Sequence, residues 1–437
     1  MMALLRWALA LSVVGFGAFG VSWAMNMPGH DIRGTWATDG YGLQIDIGRA
    51  AIDVYEVTAI SCYHTRRIPA HQWLIAGLTD IHLTRDGPRL RIDAGGSVSP
   101  IMADRTTTLP AHCPTTPDQP GTARDNFDVL WQAMQEHYAF FDLHGVDWFA
   151  RRDSLRPLAQ TVLDDDALLA LFKTMLAGLD DGHLSLRTTN GLIYSPSVRP
   201  SWHADRHMVR DNTLAQFSQL TAVADTGLLY GWATPEIGYV YMSHMDTNAG
   251  FNIKGADRAR SAFAEIALAF AAAKGVILDV RYNPGGSDEV ALAYAGYFTD
   301  IPHPAFTKAT RNGGGYTPPD AVALAPNGTF HIKQPTAVLI SGFSGSAAEV
   351  FVMSTRQLPQ VTVIGTNTSG ILSNIASFSL PNGWALGLSH QRYVSPDGVS
   401  LDGVGIPPDI EVAVAVDAAR NGMDETLQQA IKYLSDK

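Results

Sequence analysis

From about residue 235 the chain alternates between two hydrophobic periods, and that alternation limits its fold more than any other feature. "GVILDVRY" (275–282), "TAVLIS" (336–341) and "VTVIGT" (361–366) are near-continuous apolar runs, of the kind buried on both faces of a sheet. Between and around them "GADRARSAFAEIALAFAAAKG", "DEVALAYAGYFT" and "SAAEVFVMSTRQL" carry apolar residues at helical spacing. Strands that alternate with helices predict an α/β domain on a buried, largely parallel sheet. Of 437 residues, 46% are hydrophobic and 17% charged, which supplies such a core and leaves room for a second domain.

The preceding sequence reads differently. "YGLQIDIG", "AIDVYEVT", "WLIAGL", "DIHLTRD" and "RLRIDAGG" are short strand-like runs broken by Gly, Asp and Pro. They predict a small all-β domain over residues 25–115, closed as a barrel or a sandwich. A Pro/Thr-rich linker, "CPTTPDQPGT", ends it. Two amphipathic helical stretches follow, "NFDVLWQAMQEHYAFF" and "DDALLALFKTMLAGL", the second with Asp164, Asp165 and Asp166 at its N-terminal end, where the helix dipole favours negative charge. At the start of the chain Arg6, an apolar run from Trp7 to about Val21, and the small residues Ser22 and Ala24 predict a signal peptide over residues 1–24. The other reading of that run is an uncleaved anchor. Cleavage would export the protein to a periplasmic or extracellular space, with no stable membrane insertion afterwards. In such a compartment the only two cysteines, Cys62 and Cys113, are expected to pair. The net charge of -11 offers no basic face for nucleic acid.

Three stretches can carry chemistry. Gly285 and Gly286 in "LDVRYNPGGSDE" stand at the C-terminal end of a buried strand, where ligands gather in open α/β sheets. Ser346 opens the helix "SAAEVFVM" after another such strand, as a nucleophile or simply as an N-cap. His183 lies in "LDDGHLSL". Acyl transfer needs a nucleophile, a base and amides aimed at the developing oxyanion. Ser346, His183 and the glycine pair supply one of each, with the Ala347 amide as a second donor. His203 and His207 in "WHADRH" have helical ligand spacing, but Ala204 stands where a zinc protease motif needs Glu, so a surface or loop reading is preferred and no metal or organic cofactor is expected. His244 reads as a pocket wall or a satisfied core histidine. Asp279 and Arg281 read as structural ion-pair partners near the sheet end.

Taken in order, "GVILDVRYNPGGS", "VLISGFSGSAAEVFV", "VTVIGTNTSG" and "DGVGIPPDIEV" resemble the signature segments of the tail-specific, or C-terminal processing, proteases, serine peptidase family 41. The resemblance runs from about residue 125 to the C-terminus and does not include the β domain. It implies a Clp-protease/crotonase-like core within a peptidase domain over 123–437, with a helical part over 123–182 and the α/β core over 183–437. In the tail-specific branch a Lys acts as base, but the matching position here is Ile371. The Asp181-Gly182-His183 run and the helical segment instead resemble the branch of the tricorn core and the interphotoreceptor retinoid-binding proteins, in which a His is the base. The short interval between His183 and Ile237 leaves no room for a PDZ domain. The resemblance implies Ser346 as nucleophile, His183 as base, and Asp402 or Glu349 as the carboxylate that completes the triad. Asp402 is preferred, although the family has Glu at that place. The implied function is an exported serine peptidase acting on peptides or proteins. The alternative is a non-catalytic binding protein for hydrophobic ligands on the same fold. Oligomeric state is not legible.

Overall fold

The computed structural model describes residues 31–69, 81–95, 97–113, 121–247 and 255–437. The expected signal peptide, most of the Pro/Thr linker and "WLIAGL" lie outside the described residues.

The apolar runs form the centre. Gly275–Asp279 and Thr336–Ile340 are buried at every position and pair in parallel, with Ile237–Met242 and Val361–Gly365 on either side. Both faces of this sheet are covered. Helices Gly255–Ala269, Asp288–Ala295 and Ala347–Thr355 bring Phe263, Ile266, Val350 and Phe351 to one face. Helix Glu425–Ser435 lays Leu427, Ala430 and Leu434 on the other. Each fully buried Val, Leu, Ile or Phe side chain contributes roughly 1.5–3 kcal/mol. The sheet is less parallel than the periodicity suggests. Leu220–Val223 and Leu228–Thr234 add two antiparallel strands at one edge. The turns joining them are too short for a parallel crossover.

The helical part begins at Ala123–His137. Thr122 caps that helix: its amide donates to Asp125 Oδ2 (2.8 Å), and the Asp125 amide donates back to Thr122 Oγ1 (3.2 Å). Asp164 caps Asp165–Leu176 by accepting from the Ala167 amide (2.8 Å). Phe127, Leu130, Met134, Phe172 and Met175 of these helices bury against Leu186, Phe378, Leu386 and Leu388. Those residues belong to a four-stranded sheet ordered Ile375–Ser379, Ala385–Ser389, Ser185–Arg187, Ile193–Tyr194. His183 enters the third of these strands, which is how the helical part positions it.

The described strands between Gly34 and Thr106 form one seven-stranded antiparallel sheet around the buried Trp36, with Cys62–Pro69 and Ile81–Asp86 at its edges. Cys62 and Cys113 are bridged, their Cα atoms 5.2 Å apart. This sheet lies against the rest of the molecule. The Ser379 amide donates to Glu56 Oε2 (2.8 Å), His137 Nδ1 to the Gly40 carbonyl (3.2 Å), and Gln391 Nε2 to the Tyr41 hydroxyl (2.8 Å). No helix among the described residues is long and apolar enough to cross a membrane.

Candidate active site

Strand Thr336–Ile340 ends in a turn that lifts Ser346 out of the sheet. Ser346 has φ 55° and ψ -122°; Asp225 is the only other described non-glycine residue with positive φ. Such a conformation costs of order 1–3 kcal/mol and persists only where its surroundings impose it. Here Glu349 imposes it. The Glu349 side chain is fully buried; its Oε2 accepts from the Ser346 amide (3.0 Å) and the Ile371 amide (2.8 Å). Its Oε1 accepts from Thr368 Oγ1 (2.6 Å) and the Gly370 amide (2.7 Å). Burial raises the carboxyl to about 7, against the pull of these four donors.

The glycine pair meets the same turn. A Cβ on Gly285 would stand 2.6 Å from Ser346 Cβ and 2.9 Å from the Ala347 nitrogen, so only glycine allows this approach. Gly286, at φ 145°, lies so close to the Met245 carbonyl that a Cβ there would be 2.2 Å from its oxygen. The two glycine amides differ. The Gly285 amide donates to Asn283 Oδ1 (2.9 Å), so it is not free to hold an oxyanion, as the sequence reading allowed. The amides of Gly286 and Ala347 donate to no described residue.

His183 approaches from the other sheet. Its ring is buried, its amide donates to Asp181 Oδ1 (2.8 Å), and its Nδ1 has no partner. Burial lowers its basicity, partly offset by the Asp181 charge and the Ser373 carbonyl. Ile371 stands between the histidine loop and the serine turn: a Cβ on Gly182 would meet Ile371 Cγ2 at 3.0 Å, and one on Gly345 would meet Ile371 Cδ1 at 2.9 Å. No hydrogen bond joins Ser346 to His183. Asp402 is buried within reach of the Glu349 and Asp181 charges. Its Oδ1 accepts from the Leu372 amide (3.2 Å) and its Oδ2 has no partner. Burial, then the charges of Glu349 and Asp181, raise its carboxyl well above the usual range.

Some contacts around the site are not evident from sequence. Asp181, two residues before His183, also accepts from Ser389 Oγ (3.0 Å) and keeps Oδ2 free. Lys308 is buried beside the Tyr393 hydroxyl, which donates to Asp288 Oδ2 (2.6 Å) at the end of the glycine loop. The one signal for Lys308 is its period-two place between Phe306 and Thr310 on the inward face of strand His303–Asn312. His203 and His207 do not share a helix. His203 lies in a short turn against the Phe343 ring (5.5 Å), and His207 is in helix Arg206–Leu214. Among the described residues no three metal-ligating side chains gather. His244 is engaged with Ser243 Oγ (2.8 Å). Arg281 pairs with Asp279 (2.7 Å) and Asp424 (2.8 Å), a structural role.

A strained serine against a glycine turn, with free amides beside it and a buried histidine one residue layer away, has the layout of a serine hydrolase site on an α/β core. Comparison with known proteins gives its similarities. Residues 236–412 match Peptidase family S41, and residues 121–177 match the Tricorn protease C1 domain. Over those spans the chain is similar to the S41 peptidases and to the tricorn C1 domain. It is 31% identical over 158 residues to a carboxy-terminal-processing protease of Bartonella bacilliformis, a match covering 36% of this chain and 35% of that protein. It is 27% identical over 139 residues to the carboxy-terminal processing protease CtpA of Bacillus subtilis, covering 32% of this chain and 28% of the relative. The chain thus matches about a third of the length of these curated relatives. A solved structure of a candidate peptidase from Parabacteroides merdae superposes with TM-score 0.62 at 28% identity, covering 72% of this chain and 97% of that one. The mixed α/β fold resembles that of S41 proteases.

Proposed function

We propose that this protein is an exported serine peptidase that cleaves peptide bonds through an acyl-enzyme. The observation that carries the reading is the contact between Gly285 and Ser346, which sets a strained, partly exposed hydroxyl beside two amides without acceptors. In this reading Ser346 Oγ attacks the scissile carbonyl carbon, and His183 takes its proton. The Gly286 and Ala347 amides hold the oxyanion, and His183 returns the proton to the leaving amine. Water then hydrolyses the ester by the same route. Burial keeps His183 neutral and so ready as a base. Catalytic hydrogen bonds are commonly long in unliganded enzymes and tighten with substrate, which accommodates the missing Ser346–His183 bond. Asp402 is the better triad partner, since its Oδ2 is free whereas Glu349 is filled by four donors. An imidazolium beside it would bring the raised Asp402 carboxyl back down. The Cys62–Cys113 bridge supports an oxidising compartment, periplasmic or extracellular.

The test is hydrolysis of an unfolded protein such as casein by wild type, Ser346→Ala and His183→Gln. Loss of turnover in both variants, with folding retained, supports the reading. Turnover by Ser346→Ala overturns it.

A further inference from the structure

A second feature lies beside this site. Strand Ile375–Ser379 is the edge of its sheet, with Ala385–Ser389 its only neighbour among the described residues. The Leu380 amide donates to the Trp384 carbonyl, and the His390 amide to the Asn374 carbonyl, so the even-numbered residues face the neighbouring strand. In an antiparallel ladder the alternate residues then point their amides and carbonyls outward. These are Ile375, Ser377 and Ser379. The Ser379 amide is taken by Glu56 of the N-terminal sheet (2.8 Å). The outward groups of Ile375 and Ser377 have no partner among the described residues. Exposed edges are normally blunted or covered. This one instead borders a cavity of about 380 Å³, whose opposite wall is Tyr41, Leu43 and Ile101 of the N-terminal sheet. That volume is in the range of ligand pockets.

His390 adds an independent pointer to a ligand. It lines the cavity, is 3% exposed, and its Nδ1 donates to the Asn374 carbonyl (2.9 Å). That bond fixes Nε2 as an acceptor, and Nε2 is buried without a partner. The edge strand also runs straight into the candidate active site: Asn374 follows Ser373, whose carbonyl lies against the His183 ring, and Ile371 touches both catalytic loops.

We propose that this cleft is a peptide-binding site, in which an extended segment of the polypeptide substrate adds as a strand to the edge Ile375–Ser379 under the N-terminal sheet and offers a hydrogen-bond donor to His390 Nε2. Main-chain bonds to the edge give affinity whatever the sequence bound, and the Leu43–Ile101 wall selects apolar side chains. The identification of the occupant as substrate rests on the peptidase reading. The binding itself does not need catalysis, so the two can fail separately.

The experiment measures binding of fluorescein-labelled, carboxymethylated lactalbumin, a permanently unfolded polypeptide, to full-length Ser346→Ala by anisotropy. Two further changes are made in that background. Ser377→Pro removes one outward amide at an edge position that tolerates proline. Leu43→Arg narrows the cavity from the opposite wall. Each is expected to weaken binding about tenfold, with the melting temperature held. If the proline variant does not fold, Leu43→Arg decides alone. Affinities within about twofold of the parent overturn the proposal, and so does a parent that shows no saturable binding. Edge-dependent binding by a protein whose Ser346 proves unreactive would remove the peptidase reading and support this site.

Discussion

Glu349 and Asp402 are both buried carboxylates near the same turn, and their partners separate them. Glu349 braces the strained Ser346 backbone through four hydrogen bonds. Asp402 keeps a free oxygen, and His183 keeps a free nitrogen. Asp402→Asn should therefore lower kcat by roughly 10² to 10⁴ with little change in KM or melting temperature. Glu349→Gln should lower the melting temperature as well, because an amide nitrogen would face amide donors. An Asn variant with wild-type kcat, beside a folded Gln variant without activity, would hand the triad role to Glu349. Glu349 also sets a pH dependence. Its folded-state carboxyl is raised from 4.5 to about 7, so its proton stabilises the folded state fully below pH 4.5 and that stability is lost as pH rises through 7. Urea unfolding of wild type should fall by roughly 3 kcal/mol across that window relative to Glu349→Gln. A difference that is flat with pH would contradict the burial argument.

At the scale of elements, the buried ion pairs fasten the sheet to its last helix. Arg281, at the end of strand Gly275–Asp279, bonds both Asp279 and Asp424, and Asp424 caps helix Glu425–Ser435 through the Leu427 amide (2.9 Å). The burial that would raise the Asp424 carboxyl is outweighed by Arg281, which holds it at about 2. Arg281→Met leaves two buried carboxylates uncompensated and should cost about 3–5 kcal/mol in urea unfolding. A loss under about 1 kcal/mol would refute this. These elements were legible because their signals are local. Apolar runs flanked by Gly and Asp marked the strands, and strand ends marked Gly285, Gly286 and Ser346. What escaped the sequence depends on distant partners. Asp181 meets Ser389, 208 positions away, and Lys308 meets Tyr393 across 85. The edge at Ile375–Ser379 is defined by which strand is missing beside it, and no local pattern records that. The antiparallel pair at Leu220–Thr234 was hidden for another reason: its burial is partial, so its apolar pattern is weak.

At the scale of the whole molecule, the N-terminal sheet lies against the elements that carry the candidate site. It reaches the helical part through His137, the edge strand through Glu56 and the strand at Gln391 through Tyr41. We propose that it folds as a unit over residues 25–115, closed by the Cys62–Cys113 bridge. The bridge spans 51 positions, for which the chain-entropy treatment gives roughly 4 kcal/mol. Reduction, or Cys62→Ser with Cys113→Ser, should lower the unfolding midpoint of this sheet first. Unchanged unfolding on reduction would contradict it.

The central claim is that Ser346 is an activated nucleophile, and covalent labelling reads it most directly. The protein is treated with a fluorophosphonate probe, and the modified peptide is mapped by mass spectrometry. The account predicts one adduct, on Ser346, absent from Ser346→Ala and strongly slowed in His183→Gln. No labelling of the folded wild type, or labelling that survives in Ser346→Ala, would contradict it.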